Sequence, residues 1–437
     1  MINPVYFQTK TKFLTNNNAE APRIEDKYGS LEDLLYKTLC IGFNEQPVSK
    51  VEILTDRIII YIDSVTHSYT INQVVVLSGL LEEAYNKEYR VFETNPTHIV
   101  ALFEDPQIPA VLSTSTSITV KTAPLGYTRI FTKSSTTGIT SCFKNASKTS
   151  PAILKIIDDL PPNGYTNGWA RYGRVVVGQN IDELGDFIND RKVPYNPDYP
   201  DAEKTGNGVR GSGGIHGYAK WDYAPTSDSY NRENYTSRAG SFPKKWTIIG
   251  DANTFYLILD SHGDGYPTIL GYGLFNAVNK NESFNIVLHA QDDFNTASAT
   301  GYQSWFSRRL NAFGVLGYST GNFLFCNAYG GGTTTTSRYI VGGLFFGNNN
   351  RHLPHITDRV QNYNPQSGKV VTSRLLITDA DTGVLRGYNR GIKTFYGESN
   401  ITINRLTEDG DIILTVNEYS VTRRKVPYLF SLLDWDL

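Results

Sequence analysis

Cysteine is scarce in this chain, and long apolar runs are missing altogether. The three cysteines, Cys40, Cys142 and Cys326, stand far apart and match no metal-ligand spacing. They allow at most one bridge, so they read as reduced, small apolar side chains and not as a disulfide framework. No stretch reaches the roughly 18 apolar residues of a membrane-spanning helix, which excludes one. The N-terminal MINPVYFQTKTKFLTNNN lacks the apolar core of a secretory signal, so the expected product is a soluble protein made in a cytoplasm. Charge is sparse as well. Asp, Glu, Lys and Arg make up 19% of the chain, and 41 basic residues against 43 acidic ones leave a net charge of −2. That balance gives no global field to draw the chain to nucleic acid or anionic lipid. It also supplies too little Glu and Lys for long solvated helices.

What the chain has instead is aromatic and turn chemistry. Aromatics reach 12%, with 28 Tyr, beside 38 Gly and plentiful Asn and Thr. This mixture favours strands joined by turns. At 437 residues the chain has room for two or three domains with their own cores. The expected fold is all-β and mainly antiparallel: several β-sandwich or barrel modules, one or two short helices, and long loops.

Residues 1–48 read as an N-terminal arm with one short helix. Its polar first 29 residues, with Asn16-Asn17-Asn18, should order only against something else. The helix begins at Ser30, with Asp33 three residues on as a capping pair, and presents Leu31, Leu34, Leu35 and Leu39 at helical spacing. Residues 49–122 hold six short apolar runs broken by Asp, Asn, Gly and Pro, the pattern of a small β-barrel or sandwich, with one helical turn in GLLEEAYNKEY. Residues 123–437 form a large β-rich domain. It contains a further helix over 181–188 and a long loop, 189–217, whose prolines and glycines mark an exposed functional loop or a segment ordered by partners. Within that domain KKWTIIGDANTFYLILD (244–260) reads as a hairpin, with a turn at Gly250-Asp251-Ala252-Asn253. Its second arm is apolar at nearly every position, so both of its faces should be covered.

Several motifs look chemical and fail on context. Gly206-Asn207-Gly208-Val209-Arg210-Gly211 spells G-x-G-x-x-G, but PDYPDAEK before it is no strand and GSGGIHG after it is no helix to receive pyrophosphate. Gly317-Tyr318-Ser319-Thr320-Gly321 spells G-x-S-x-G, yet a strand and not a helix should follow the serine. Asp260-Ser261-His262-Gly263-Asp264 falls where the hairpin must turn. Asp379-Ala380-Asp381-Thr382-Gly383 begins like a calcium loop but lacks the third oxygen ligand and has Arg390 at its twelfth position. His352 and His355 flank a proline and cannot share a helix face. Asp158-Asp159 and Asp292-Asp293 are adjacent, so on a strand each pair points to opposite faces instead of flanking one bond. The aromatic stretch 218–235 (YAKWDYAPTSDSYNRENY) suits a protein interface, or a sugar-stacking surface as the alternative. No catalytic, cofactor-binding or metal-ligating residue is assigned, and no enzyme is expected.

Four segments carry a resemblance. VVVLSGLLEEAYNKEYRVF followed by THIVALF, within 70–103, is similar to small β modules of tailed-bacteriophage virion proteins. SITVKTAPLGYTRIF (117–131) resembles their ITVK-x-APLGW-x-x-F junction, with Tyr127 at the tryptophan. WTIIGDANTFYLIL (246–259) resembles their WxLVGDxRTFYL hairpin. TDADTGVLRGYNRGI (378–392) resembles their D-x-x-TGVLRG-x-x-PG segment, with Arg390 in place of proline. Lys87 likewise stands where the group has glycine. The resemblance implies a virion structural component of the tail, neck or baseplate. Its partners would be other virion proteins and copies of itself in a homo-oligomer or ring, with no direct nucleic-acid contact and no cofactor. Its place would be the virion, after synthesis in the bacterial host cytoplasm. The alternatives are a capsid decoration protein and a binder of host surface glycan.

Overall fold

The computed structural model describes residues 4–62, 67–112, 117–162, 171–187, 192–193, 199–206, 218–224, 244–260, 268–278, 286–289, 324–325, 338–341, 371–379, 385–396, 405–406, 412–419, 425–432 and 435. The protein is all-β and mainly antiparallel, in three sheets among these residues.

The polar N-terminal arm orders against its own chain. After a 3-10 turn at Pro4–Phe7, strand β1 (Lys12–Thr15) pairs antiparallel with residues 247–250, from Lys12 opposite Gly250 to Thr15 opposite Thr247. An Asn-rich segment stays folded because its polar groups find partners. Asn18 and Gln73 exchange amide hydrogen bonds at 2.7 and 3.0 Å, and Asn18 Nδ2 also donates to the Ser68 carbonyl at 2.7 Å. Arg90 donates to three carbonyls, those of Gln8 (2.7 Å), Thr11 (2.6 Å) and Asn72 (2.6 Å). Lys12 Nζ reaches both Glu88 and the Pro124 carbonyl at 2.6 Å.

Helix α1 (Ser30–Tyr36) buries Leu31, Leu34 and Leu35, and a wider five-residue turn, Lys37–Ile41, extends it far enough to bury Leu39. Its cap differs from the capping pair expected at Ser30. Gly29 is the cap residue and makes no side-chain cap bond, while Ser30 Oγ bonds the backbone of Glu25. The orphan N–H groups of Leu31 and Glu32 donate instead to Asp158 Oδ2, at 2.9 and 3.1 Å.

The first complete unit is a closed barrel. Strands β2 (Phe43–Ile53), β3 (Arg57–Ile62), β4 (Val74–Ser78), β5 (Glu88–Asn95), β6 (His98–Leu102), β7 (Ala110–Leu112) and β8 (Thr119–Thr122) follow in sequence. The pairing order β3-β6-β5-β4-β8-β2 returns from β2 to β3, which closes six strands, and β7 adds to the outer half of β2. In β3 the side chains of Ile58, Ile60 and Ile62 point inward and those of Arg57, Ile59 and Tyr61 outward, the period-2 pattern of a half-buried strand. The interior is aliphatic, including Val51, Ile53, Ile58, Ile60, Val75, Leu77, Val91 and Val120. Closure pairs each of the six ring strands on both sides, and among the described residues β7 is the strand of this module paired on one side only. The barrel starts at Phe43, inside the stretch the sequence assigned to the arm, because β2 is one long strand serving β8 with its first half and β3 with its second. The helical turn expected in this module is a 3-10 turn, Glu83–Tyr85.

A second sheet comprises β9 (Thr128–Ser134), β10 (Ile139–Lys144), β11 (Ile153–Asp158), β12 (Arg171–Gly178), β13 (Lys192–Val193) and β14 (Ala219–Ala224), in the order β13-β12-β11-β10-β9, with β14 also on β12. In place of the helix expected over 181–188, the described residues 181–187 form a turn. Ile181 and Phe187 form an antiparallel bridge, and Asp182 Oδ1 takes the N–H groups of Leu184 and Asp186, both at 2.9 Å. A side chain that captures backbone donors in this way competes with helix, and with Leu184 64% exposed there is no apolar stripe to resist it. The long loop 189–217 is anchored in part. Helix α2 (Ala202–Thr205) buries Ala202 and Glu203, and Glu203 pairs with Lys192 at 2.5 Å.

The third sheet begins at β1 and continues through β15 (Lys245–Gly250), β16 (Thr254–Asp260), β17 (Thr268–Leu274) and β19 (Ile286–His289). It then passes through Leu324–Phe325, Arg338–Val341, Val371–Asp379, Leu385–Tyr396, Lys425–Ser431, Ile412–Tyr419 and Arg405–Leu406, while β18 (Asn276–Ala277) pairs beside it with Leu385–Tyr396. The hairpin stands where the sequence placed it, and all seven residues of β16 are buried. A single core joins α1 (Leu31, Leu34, Leu35), the second sheet (Phe143, Leu154, Val175, Trp221) and the hairpin (Trp246, Phe255, Leu257).

Candidate functional site

Among the described residues, an extensive arrangement of side chains surrounds the hairpin turn. Asp251 Oδ1 accepts the N–H groups of Asn253 (2.8 Å) and Thr254 (2.9 Å), which fixes the turn between β15 and β16. Its carboxylate also receives Arg390, at 2.8 Å from Nη2 and 3.3 Å from Nη1, and Nη1 reaches Thr254 Oγ1 at 3.1 Å. Arg390 further donates to the Trp435 carbonyl, and its own carbonyl accepts the Tyr256 hydroxyl at 2.8 Å. Residues 123–131 approach the same turn from the other side. Gly126 packs on Ala252, and Tyr127 meets Phe255 edge to face at 5.6 Å. The N–H groups of Leu125, Gly126 and Tyr127 donate to the carbonyls of Thr38 and Leu39 at the end of the helical turn. Burial pushes the phenols of Tyr127 and Tyr256 well above their ordinary values, so both stay protonated. With its cation and anion paired and its two phenols buried and protonated, the junction holds backbone in place.

Gly391 completes the junction. Its φ of 65° lies in the left-handed region, and a Cβ there would run into the indole of Trp435. Gly391→Ala should therefore destabilise the chain by at least about 1 kcal/mol, the usual cost of alanine at positive φ, with the ring displacement on top. A urea-unfolding midpoint equal to wild type would show that this backbone is not held as described.

A cleft of about 830 Å³ opens between residues 16–27 of the arm and the start of β15, lined by Asn18, Glu20, Pro22, Asp26, Lys244 and Trp246 among others. Burial lowers the Lys244 ammonium to about 8, opposed by the carboxylates of Asp26 and Asp260. The Trp246 indole N–H donates to the Pro22 carbonyl at 2.9 Å. Neither the cleft nor the Arg390–Asp251 pair has a sequence signal. Arg390 reads as a surface residue until its distant partner is known.

The motifs weighed in the sequence scatter. Gly206 ends α2 with a φ of 69°, the opposite polarity to a phosphate loop that opens a helix; residues 207–211 lie outside the described residues. Asp158 and Asp159 diverge. The first is buried on the helix N–H groups, while the second takes the Thr137 hydroxyl and the Leu160 N–H. Asp260 and Asp379 end their strands, and residues 261–264 and 380–383 are outside the described set, as are 292–293, 317–321, 352 and 355. Tyr218, Trp221 and Tyr223 of the aromatic stretch are buried and so cannot form an exposed stacking platform; residues 225–235 are not described. Burial pushes the Cys40 and Cys142 thiols up to about 12, far from the reactive range, and Cys326 is not described. Among the described residues, no group of three His, Cys, Asp or Glu side chains is placed to hold a metal, and no helix is long and apolar enough to cross a membrane. In comparisons with known proteins, no family model and no curated protein matches the chain.

Proposed function

We propose that this chain is a structural component of a tailed-bacteriophage virion, in the tail, neck or baseplate, acting through protein–protein contacts. One observation carries the reading. Three of the four segments that resemble phage virion proteins, 117–131, 246–259 and 378–392, are far apart in sequence, yet their described residues meet at the hairpin turn through Gly126 on Ala252, Tyr127 on Phe255 and Arg390 on Asp251. Segments that recur together for a structural reason should touch, and these do. Two of the departures noted in the sequence, Tyr127 and Arg390, fall at that meeting point, where each has a partner of its own. The closed barrel and the wide sheets suit a rigid building block. With the arm bound within its own chain, we assign contacts between subunits to the outer surfaces of the barrel and sheets. Reading the chain as a glycan binder loses support, because three of the aromatics it relied on face the core.

Quantitative mass spectrometry of purified particles tests the proposal. The chain should be present at a copy number well below that of the major capsid protein. Equal abundance would move it to the capsid surface, and absence from the particle would overturn the proposal.

A further inference from the structure

The Tyr223 hydroxyl has one proton and two acceptors. Its oxygen lies 2.7 Å from Asp158 Oδ1 and 3.1 Å from the carbonyl of Lys27, the residue that closes the arm beside the cleft. Only one of these bonds can be donated at a time. While Asp158 is ionised, its Oδ1 can only accept, so the hydroxyl points to Asp158 and the Lys27 carbonyl loses that donor. When Asp158 carries a proton on Oδ1, that proton is donated to the Tyr223 oxygen and the hydroxyl is released towards Lys27. Oδ2 continues to accept the Leu31 and Glu32 N–H groups in either state, so α1 stays capped throughout.

We propose that Asp158, Tyr223 and the Lys27 carbonyl form a proton-operated tie between the second sheet and the arm, in which protonation of Asp158 turns the Tyr223 hydroxyl onto Lys27. The step moves one proton from solvent to Oδ1 and rotates one O–H; no heavy-atom bond changes. This tie is independent of the virion reading.

The surroundings favour a carboxyl that titrates in a useful range. Asp158 is fully buried, and burial raises it to about 6, against the lowering pull of Tyr223 and the helix N–H groups. The charged groups on the elements packed around it are already committed. On the arm, Asp26 pairs with Arg171 of β12 at 3.5 Å, Arg171 lies over the Tyr28 ring at 5.0 Å, and Lys27 Nζ pairs with Glu25. On α1, Glu32 takes Arg129 of β9 at 3.0 Å and the Ser141 hydroxyl at 2.6 Å. Just past β11, Asp159 accepts the Thr137 hydroxyl; on β11 Lys155 pairs with Asp186, and on β12 Arg174 donates to the carbonyls of Asp159 and Lys204. A free aspartate titrates near about 3.9, so the folded chain binds this proton more tightly than the unfolded chain. The stabilisation is complete below about pH 4 and is lost as pH rises through about 6. That stabilisation belongs to the fold as a whole, and the tie to Lys27 accompanies the same protonation.

Carbon-13 NMR of the full chain between about pH 4 and about pH 8 tests this, following the Asp158 carboxyl carbon and the Lys27 carbonyl carbon. Both should shift with one midpoint near 6 in the wild type. In Tyr223→Phe the Asp158 carbon should still titrate while the Lys27 carbon becomes insensitive to pH. Asp158→Asn, whose amide can donate to Tyr223, should hold the Lys27 carbon at its acid-side position throughout. A Lys27 carbon that ignores pH in the wild type, or that follows it equally in Tyr223→Phe, would overturn the proposal and leave Asp158 as a plain helix cap. If Tyr223→Phe fails to fold, Asp158→Asn decides: an alkaline-side Lys27 position in that variant also overturns it.

Discussion

Alanine at Trp246 should cost about 3–5 kcal/mol of stability, as truncation of a buried large aromatic does. The side chain is 2% exposed and fills the corner where the arm meets the hairpin. Its ring stands edge to face with Phe43 at 6.2 Å, and its N–H holds the Pro22 carbonyl. Its backbone exchanges hydrogen bonds of 3.2 Å with Asn16 in both directions, so the cavity would form under the arm itself. The surrounding backbone cannot collapse freely into that cavity, because β15 is paired on both sides, by β1 and β16. Urea unfolding monitored by circular dichroism measures the loss. Trp246→Phe keeps most of the volume while losing the indole donor and one ring of the indole. It should cost less than alanine, with about 1–2 kcal/mol of its cost from the lost hydrogen bond. An alanine variant that unfolds at the wild-type midpoint would mean that the hairpin is not part of the core.

The Arg390–Asp251 pair should show the second large effect, with a clear asymmetry. Breaking a buried ion pair from one side costs about 3–5 kcal/mol, because the survivor is left charged and dry. Asp251→Ala removes both the partner of Arg390, itself 3% exposed, and the acceptor for the Asn253 and Thr254 N–H groups, so it belongs at the upper end. Arg390→Ala leaves Asp251 with those two N–H groups still donating to it and belongs at the lower end. The double variant should cost less than the sum, since no lone charge remains. Additive losses in the double-mutant cycle would show that the two side chains do not act as a pair.

Much of this architecture can be read from the chain, and what escapes reading has a common cause. The hairpin, the barrel strands and the leucines of α1 declare themselves because each depends on local periodicity and local turn residues. The cap of α1 does not, since its acceptor, Asp158, is 127 positions away from Leu31. Barrel closure is hidden because β2 reads as one strand while serving two partners. The arm looks unstructured for want of apolar residues, yet Gln73, Ser68, Glu88 and Arg90 satisfy it through hydrogen bonds that no hydrophobic pattern registers. The junction at Asp251 needs three segments at once. Composition sees only a glycine turn, a tyrosine and an arginine.

The pairing of β1 with β15 also sets a timetable. Residues 12–15 leave the ribosome more than two hundred residues before their partners at 247–250, whereas the barrel strands that hold the arm, up to Thr122, follow soon after. Once the barrel has closed, Arg90 and Gln73 can seat residues 8–18 with nothing else yet made. On this order, which pulse-labelling hydrogen exchange during refolding would test, the first strand of the widest sheet is in place as a template. The hairpin, when it arrives, has a ready edge to grow from.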